Sequence, residues 1–158
     1  MITDLLVFSL AKQQFALPVG QVSTVVPRAT LTPLPGAPKD LIGLLRLRGA
    51  LCPVIDIRAR LGLSVAVPHI GECIVVMHTA AFKVGLLVEG VDGVVVPPTD
   101  PVDRLAPKDA ERLIRGVVEV GGRVVATLDA GAVVGDDVRA YLAASADGLH
   151  RHSTKAVA

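Results

Sequence analysis

Apolar residues in this chain come in short runs divided by Gly, Pro and charged residues, and the runs have strand length rather than helix length. Leu5-Leu6-Val7-Phe8-Ser9-Leu10 reads as a strand, Ala11-Lys12-Gln13-Gln14 as its turn and Phe15-Ala16-Leu17-Pro18-Val19 as the returning strand, a hairpin with a four-residue loop. Val19, Val22 and Val26 are spaced for one face of a short helical turn, which Pro27 ends by lacking a backbone N–H. Thr30 to Pro38 carries Pro33, Pro35 and Pro38 and is expected to be an ordered extended loop. From Gly43 to Leu63, two apolar segments flank an Arg48-Gly49 corner, alternating between a buried and an exposed face as paired strands do.

Further on, Val65 to Gly71 reads as a loop, and Cys73-Ile74-Val75-Val76-Met77 as a strand buried on both faces. Val84 to Val96 is rich in Val and broken by Gly85, Gly90 and Gly93, where a missing side chain permits a bulge or a barrel corner; Pro97-Pro98 closes it. Pro107 to Ile114 fits a helical turn or an irregular connector. Val117 to Val120 and Arg123 to Leu128 form a hairpin, because Gly121-Gly122 supplies the positive φ angles of a tight two-residue turn. Asp136 is placed to cap a last helix with Val138, Tyr141 and Leu142 on one face, and residues 147–158 are small and polar, as in a flexible tail.

Composition narrows the class. At 158 residues and 51% hydrophobic content the chain can bury a core as one compact domain or two very small ones, and with 3% aromatic residues and no Trp that core is built from Val, Leu, Ile and Ala. An all-β, β-rich fold is expected. A faint echo runs through the chain: Arg48-Gly49 leads to strands ending in Ile55-Asp56, and Arg115-Gly116 to strands ending in Leu128-Asp129. Two similar units suggest paired small barrels that share a core between them.

Charge and chemistry mostly exclude. A net charge of +1 supplies no positive field for nucleic acid. The start Met1-Ile2-Thr3-Asp4 lacks a signal-peptide pattern and no apolar run reaches the roughly 18 residues of a membrane span, so a cytoplasmic protein is expected. Cys52 and Cys73 fit buried small hydrophobes better than a disulfide or a reactive thiol. His69, His78, His150 and His152 form no metal-ligand pattern, and neither a nucleophile elbow nor a phosphate-binding glycine loop is present. Asp56 and Asp129 close apolar strands, where a carboxylate accepts turn N–H groups more readily than it performs acid–base work. An enzyme would require Cys52, Asp56 and a histidine to converge. Neither catalysis, cofactor nor metal is expected.

The arginines remain. Arg46 and Arg48 share parity, as do Arg58 and Arg60, so each pair projects to one side of an extended segment. Arg48 beside Gly49 suits docking, since a guanidinium at a corner can hold a partner's carboxylates or carbonyls in bidentate fashion.

At these residues the chain resembles the CheW family of bacterial chemosensory adaptors. Its pattern of apolar-Gly-apolar, Asn-Leu-Arg-Gly and Pro-Val-Ile-Asp-Leu-Arg is similar to Ile42-Gly43-Leu44, Arg46-Leu47-Arg48-Gly49 and Pro53-Val54-Ile55-Asp56-Ile57-Arg58. Val7-Phe8-Ser9-Leu10, Phe15-Ala16-Leu17-Pro18, Gln21-Val22, Val84-Gly85-Leu86-Leu87-Val88-Glu89 and Leu128-Asp129 are also similar, over roughly residues 4–135. Arg46 stands where the family pattern has Asn, and Cys52 where Ile or Val is common.

The resemblance implies two five-stranded SH3-like β-barrels packed together, with short helices including a C-terminal one, in a single domain over 1–146 followed by the tail at 147–158. It implies a non-enzymatic adaptor linking the cytoplasmic tips of methyl-accepting chemoreceptors to the regulatory domain of a CheA-type histidine kinase, recruited to membrane-associated arrays without inserting in the membrane. A pilus-motility or other non-flagellar kinase pathway is the alternative setting. Carried over by motif, Arg48 and Val22 are the expected receptor-binding residues, with Leu47 and Gly49 as motif neighbours; kinase-contacting residues are not assigned.

Overall fold

The computed structural model describes residues 3–64, 68, 70–98 and 113–145. Ten strands form two five-stranded sheets. The strands are β1 (Leu5–Leu10), β2 (Gln13–Pro18), β3 (Val22–Pro27), β4 (Leu41–Leu47), β5 (Ala50–Ile55), β6 (Cys73–His78), β7 (Lys83–Val88), β8 (Gly90–Val95), β9 (Ile114–Val120) and β10 (Arg123–Leu128). A short helix, α1 (Ala130–Val133), and a second helical stretch, α2 (136–145), follow.

One sheet has the order β8-β1-β2-β10-β9 and the other β3-β6-β7-β5-β4. Position by position the two orders match, with one parallel pair in each, β2 with β10 and β7 with β5. The second sheet uses five consecutive strands, and we call it the central barrel; the first, the terminal barrel, joins the opening hairpin to β8, β9 and β10. Beyond β3, Thr32 bridges to Leu44 on the opposite edge strand, which draws the central sheet closed.

Because strand side chains alternate, each sheet presents one face inward and one toward its neighbour. Leu5, Val7, Ala16, Val118 and Val125 fill the terminal barrel; Leu45, Cys52, Val54, Ile74, Val76 and Leu87 fill the central one. The largest apolar cluster lies between them, with Phe8, Phe15 and Leu128 from one sheet meeting Ile55, Met77, Val84 and Leu86 from the other, and Val133, Val138 and Leu142 from the helices. The shared core expected from the sequence is therefore the principal one.

Several local expectations are corrected. The first hairpin turns on two residues, not four: Ala11 and Lys12 adopt φ of 48° and 65° without a glycine, and the Ala11 N–H donates to Glu89 Oε2 at 2.6 Å. That tertiary bond holds the unfavourable conformation. Val19, Val22 and Val26 share no helical face, since only Val19–Gln21 forms a 3-10 turn and the rest joins β3. Pairing with β6 overrides the local spacing, and a register shift between Val22 and Thr24 sends Val22 to the shared core and Val26 to the barrel interior. The run Val84 to Val96 divides at Glu89 into strands of different sheets, with Gly93 (φ 123°) at a register shift as anticipated.

The β9–β10 hairpin turns at Gly121 and Gly122 as expected. In the last helix Val138 and Leu142 are buried and Tyr141 donates to the Pro35 carbonyl at 3.1 Å, but Gly135, not Asp136, precedes the helix and accepts its first bond from Arg139 N–H. The loop at 65–67 and 69, most of 107–114, and the tail at 147–158 lie outside the described residues.

Candidate functional site

The β4–β5 hairpin carries the motif that the sequence singled out. Leu47 pairs with Ala50, leaving Arg48 and Gly49 as a two-residue turn with φ of 49° and 80°. Glycine takes such angles freely; an arginine does so at a cost of about 1 kcal/mol. Arg48 and Gly49 are exposed, Leu47 is half-buried against the interior of the central barrel, and the Arg48 guanidinium has no hydrogen bond or ion pair among the described residues. Strain and an unpaired cation thus coincide at the tip.

Val22 lies on the other outer strand of the same sheet, across β6, β7 and β5 from the hairpin. It pairs with Met77, which pairs with Val84, and both neighbours face the shared core, as does Val22. Arg46 and its partner Leu51 stand on that face too, because they alternate with Leu45 and Cys52 of the barrel interior. The structure therefore keeps Leu47, Arg48 and Gly49 together, and relates Val22 to Arg46 and Leu51 by face rather than by contact.

Arg58 is buried and Arg60 half-buried, and both are engaged within the fold, which corrects the reading of them as a pair projecting to one side of an extended segment. The strand ends at Ile55, and the turn after it buries Arg58 to 3% exposure. Its Nε and Nη2 donate to the Asp56 carboxylate at 3.0 and 2.8 Å, and Nη1 meets Glu89 Oε2 at 3.4 Å. Arg60 donates to the carbonyls of Val133 and Ala132 at the end of α1 and lies 3.5 Å from Asp40. Burial raises the Asp40 carboxyl from its ordinary pKa against the pull of Arg60, with Asp56 and Asp137 adding to the effect.

Asp56 and Asp129 follow the equivalent strands β5 and β10, so that half of the sequence echo is structural. The arginine half is not: Arg48-Gly49 corresponds to the Gly121-Gly122 turn, while Arg115-Gly116 lies within β9. Each aspartate is engaged from the segment that crosses between barrels. Gln21, after β2, donates to Asp129 Oδ1 and accepts from the Ala130 N–H, both at 2.8 Å. Glu89, after β7, reaches Asp56 through Arg58. Neither clamp could be read from residue spacing, because Gln21 and Asp129 are 108 residues apart.

Cys52 is buried at 4% exposure in the apolar interior, and burial raises its thiol pKa. His78 is exposed at the end of β6, so Cys52, Asp56 and this histidine form no common site. A cavity of about 780 Å³ opens beside Arg28, Thr30, Leu31, Ile42, Asp56 and Leu87, but its cations are already engaged, Arg28 by Glu72 and Arg58 by Asp56.

The profile of the CheW-like domain matches residues 4–138. The chain is 30% identical over 139 residues to a chemotaxis protein CheW of Rhizobium meliloti (strain 1021), covering 86% of this chain and 90% of that one. It is 28% identical over 134 residues to chemotaxis protein CheW of Bacillus subtilis (strain 168), covering 82% and 85%. Among solved structures, the scaffolding protein TtCheW from Thermoanaerobacter tengcongensis superposes with a TM-score of 0.78 at 23% identity, covering 87% of this chain and 91% of that one, and shares its fold of two SH3-like barrels. With its motifs, strand order and matched length in agreement, the chain belongs to the CheW-like family.

Proposed function

We propose that the protein is a non-enzymatic adaptor of bacterial chemosensory signalling, joining the cytoplasmic tips of chemoreceptors to the regulatory domain of a CheA-type histidine kinase. Residues 1–146 act as one CheW-like domain and 147–158 as its tail. The observation that carries this reading is the β4–β5 turn: Arg48 holds a strained backbone conformation and presents an unpaired guanidinium, while Arg58 and Arg60 are used inside the fold. A cation kept at such a cost suits recognition of a partner's carboxylates or carbonyls. Val22, Leu47 and Gly49 complete the receptor-binding set, Val22 as apolar floor and Gly49 by permitting the turn. Burial of Cys52 in the apolar interior, which raises its thiol pKa, supports a structural rather than a nucleophilic role for it. No helix among the described residues is long and apolar enough to cross a membrane, which accords with work in the cytoplasm at receptor arrays.

Calorimetry of the full chain with a receptor signalling tip and with a kinase regulatory domain tests the reading; binding is expected to both, and binding to neither overturns it. Arg48→Glu should lower receptor-tip affinity at least about tenfold, about 1.4 kcal/mol, with kinase binding and the thermal transition retained. A collapsed transition would instead make Arg48 a structural residue.

A further inference from the structure

Among the described residues, Arg28, Arg58, Arg60, Arg115 and Arg139 each engage a carboxylate or a backbone carbonyl within the fold. Arg46, Arg48 and Arg123 engage nothing; Arg123 opens β10 of the terminal barrel, while Arg46 and Arg48 both stand at the hairpin end of the central barrel. Exposed Lys83 opens β7 and exposed His78 closes β6 at that same end. No Asp or Glu occurs in 22–27, 41–55 or 73–88, which hold the five strands of the central barrel.

The surface is not only basic. Leu51, directly opposite Arg46, is 46% exposed, and the parallel register of β5 and β7, carried toward the hairpin, brings Leu51 level with half-buried Phe82. An arginine that merely guarded edge strand β4 against pairing would not need an exposed leucine across from it. An apolar strip with cations at its margin matches a helix that is apolar on one side and acidic beside it.

We propose that Arg46 is the specificity-determining residue of the docking surface, selecting a protein partner whose apolar helical face is bordered by carboxylates. This rests on the adaptor reading and adds the partner's chemistry to it. A guanidinium can pair with a carboxylate in bidentate fashion and draws acidic partners by long-range attraction, whereas the Asn of the family pattern is neutral.

The test uses the full chain and a chemoreceptor signalling tip encoded in the same genome, followed by calorimetry from about 50 to about 500 mM NaCl. Wild-type affinity should fall with salt. Arg46→Asn should bind about fivefold more weakly with a shallower salt dependence, and Arg46→Glu more weakly still, with binding restored by a Glu→Lys change at one position of the tip. Wild-type binding that Arg46→Asn leaves within about twofold, with the same salt dependence, overturns this inference alone. So does a result in which Arg46→Glu abolishes association with vesicles containing phosphatidylserine but leaves tip binding intact, since the surface would then serve a membrane. Absence of wild-type binding to any tip overturns the adaptor reading beneath it.

Discussion

Arg48 shows how one residue can be legible in kind but not in state. Its place beside Gly49 marks a corner in the sequence, while the positive φ and the unpaired guanidinium emerge only once Leu47 and Ala50 pair. Asparagine before glycine is the preferred occupant of such a turn. Arg48→Asn should therefore stabilise the protein by about 0.5–1 kcal/mol while weakening receptor-tip binding, as read by the urea midpoint and by calorimetry. A lowered midpoint would mean that Arg48 carries no strain. Arg58 is the converse case: its sequence neighbourhood resembles that of Arg48, yet burial makes it a structural cation.

At the scale of elements, strands with continuous apolar character or explicit turn residues were legible, notably β6 and the β9–β10 hairpin. The opening hairpin was legible as such, but its turn was not, since Glu89 from the distant crossing segment between β7 and β8 sets it. The spacing of β3 reads as a helical turn because a bulge scrambles its alternation, and the glycines between β7 and β8 read as a bulge or corner without revealing that the two strands belong to different sheets. Gly85 belongs to this scale. A Cβ there would lie 2.6 Å from Ile74 Cγ2 and 3.2 Å from Val54 Cγ2, where β6, β7 and β5 pack closely. Gly85→Ala should cost about 1–3 kcal/mol by overpacking, measured by denaturant unfolding; an unchanged midpoint would mean that the barrel interior yields without cost.

Across the whole molecule, the two barrels are joined by the shared core and by two related polar clamps of different chemistry. In the Glu89–Arg58–Asp56 clamp, Arg58→Met leaves two carboxylates facing each other without their cation. A loss of about 3–5 kcal/mol is expected, seen as a fall in Tm. In the other clamp, burial works to raise Asp129, but the Gln21 amide and Arg115 outweigh it and hold the carboxyl below its ordinary value. The ionised form is thus favoured by folding, and its stabilisation is complete above the unfolded-state aspartate pKa and lost as pH falls through the lower folded one. Thermal unfolding of Asp129→Asn should lie below wild type above about pH 4, and the gap should close on acidification. A gap constant with pH would show that the Asp129 charge contributes nothing to the clamp.

By itself the sequence determined the strand-rich class, most hairpins and the Arg48-Gly49 corner, because alternation and turn chemistry are local properties, while the division into two barrels followed from the family resemblance and only half of the internal echo. Only the tertiary structure decided which arginines are exposed and which are internal. It also decided how the crossing segments carrying Gln21 and Glu89 reach equivalent aspartates, and that Arg46 shares a face with Val22. Burial, register and ion pairing depend on strands distant in sequence, so no local pattern could contain them.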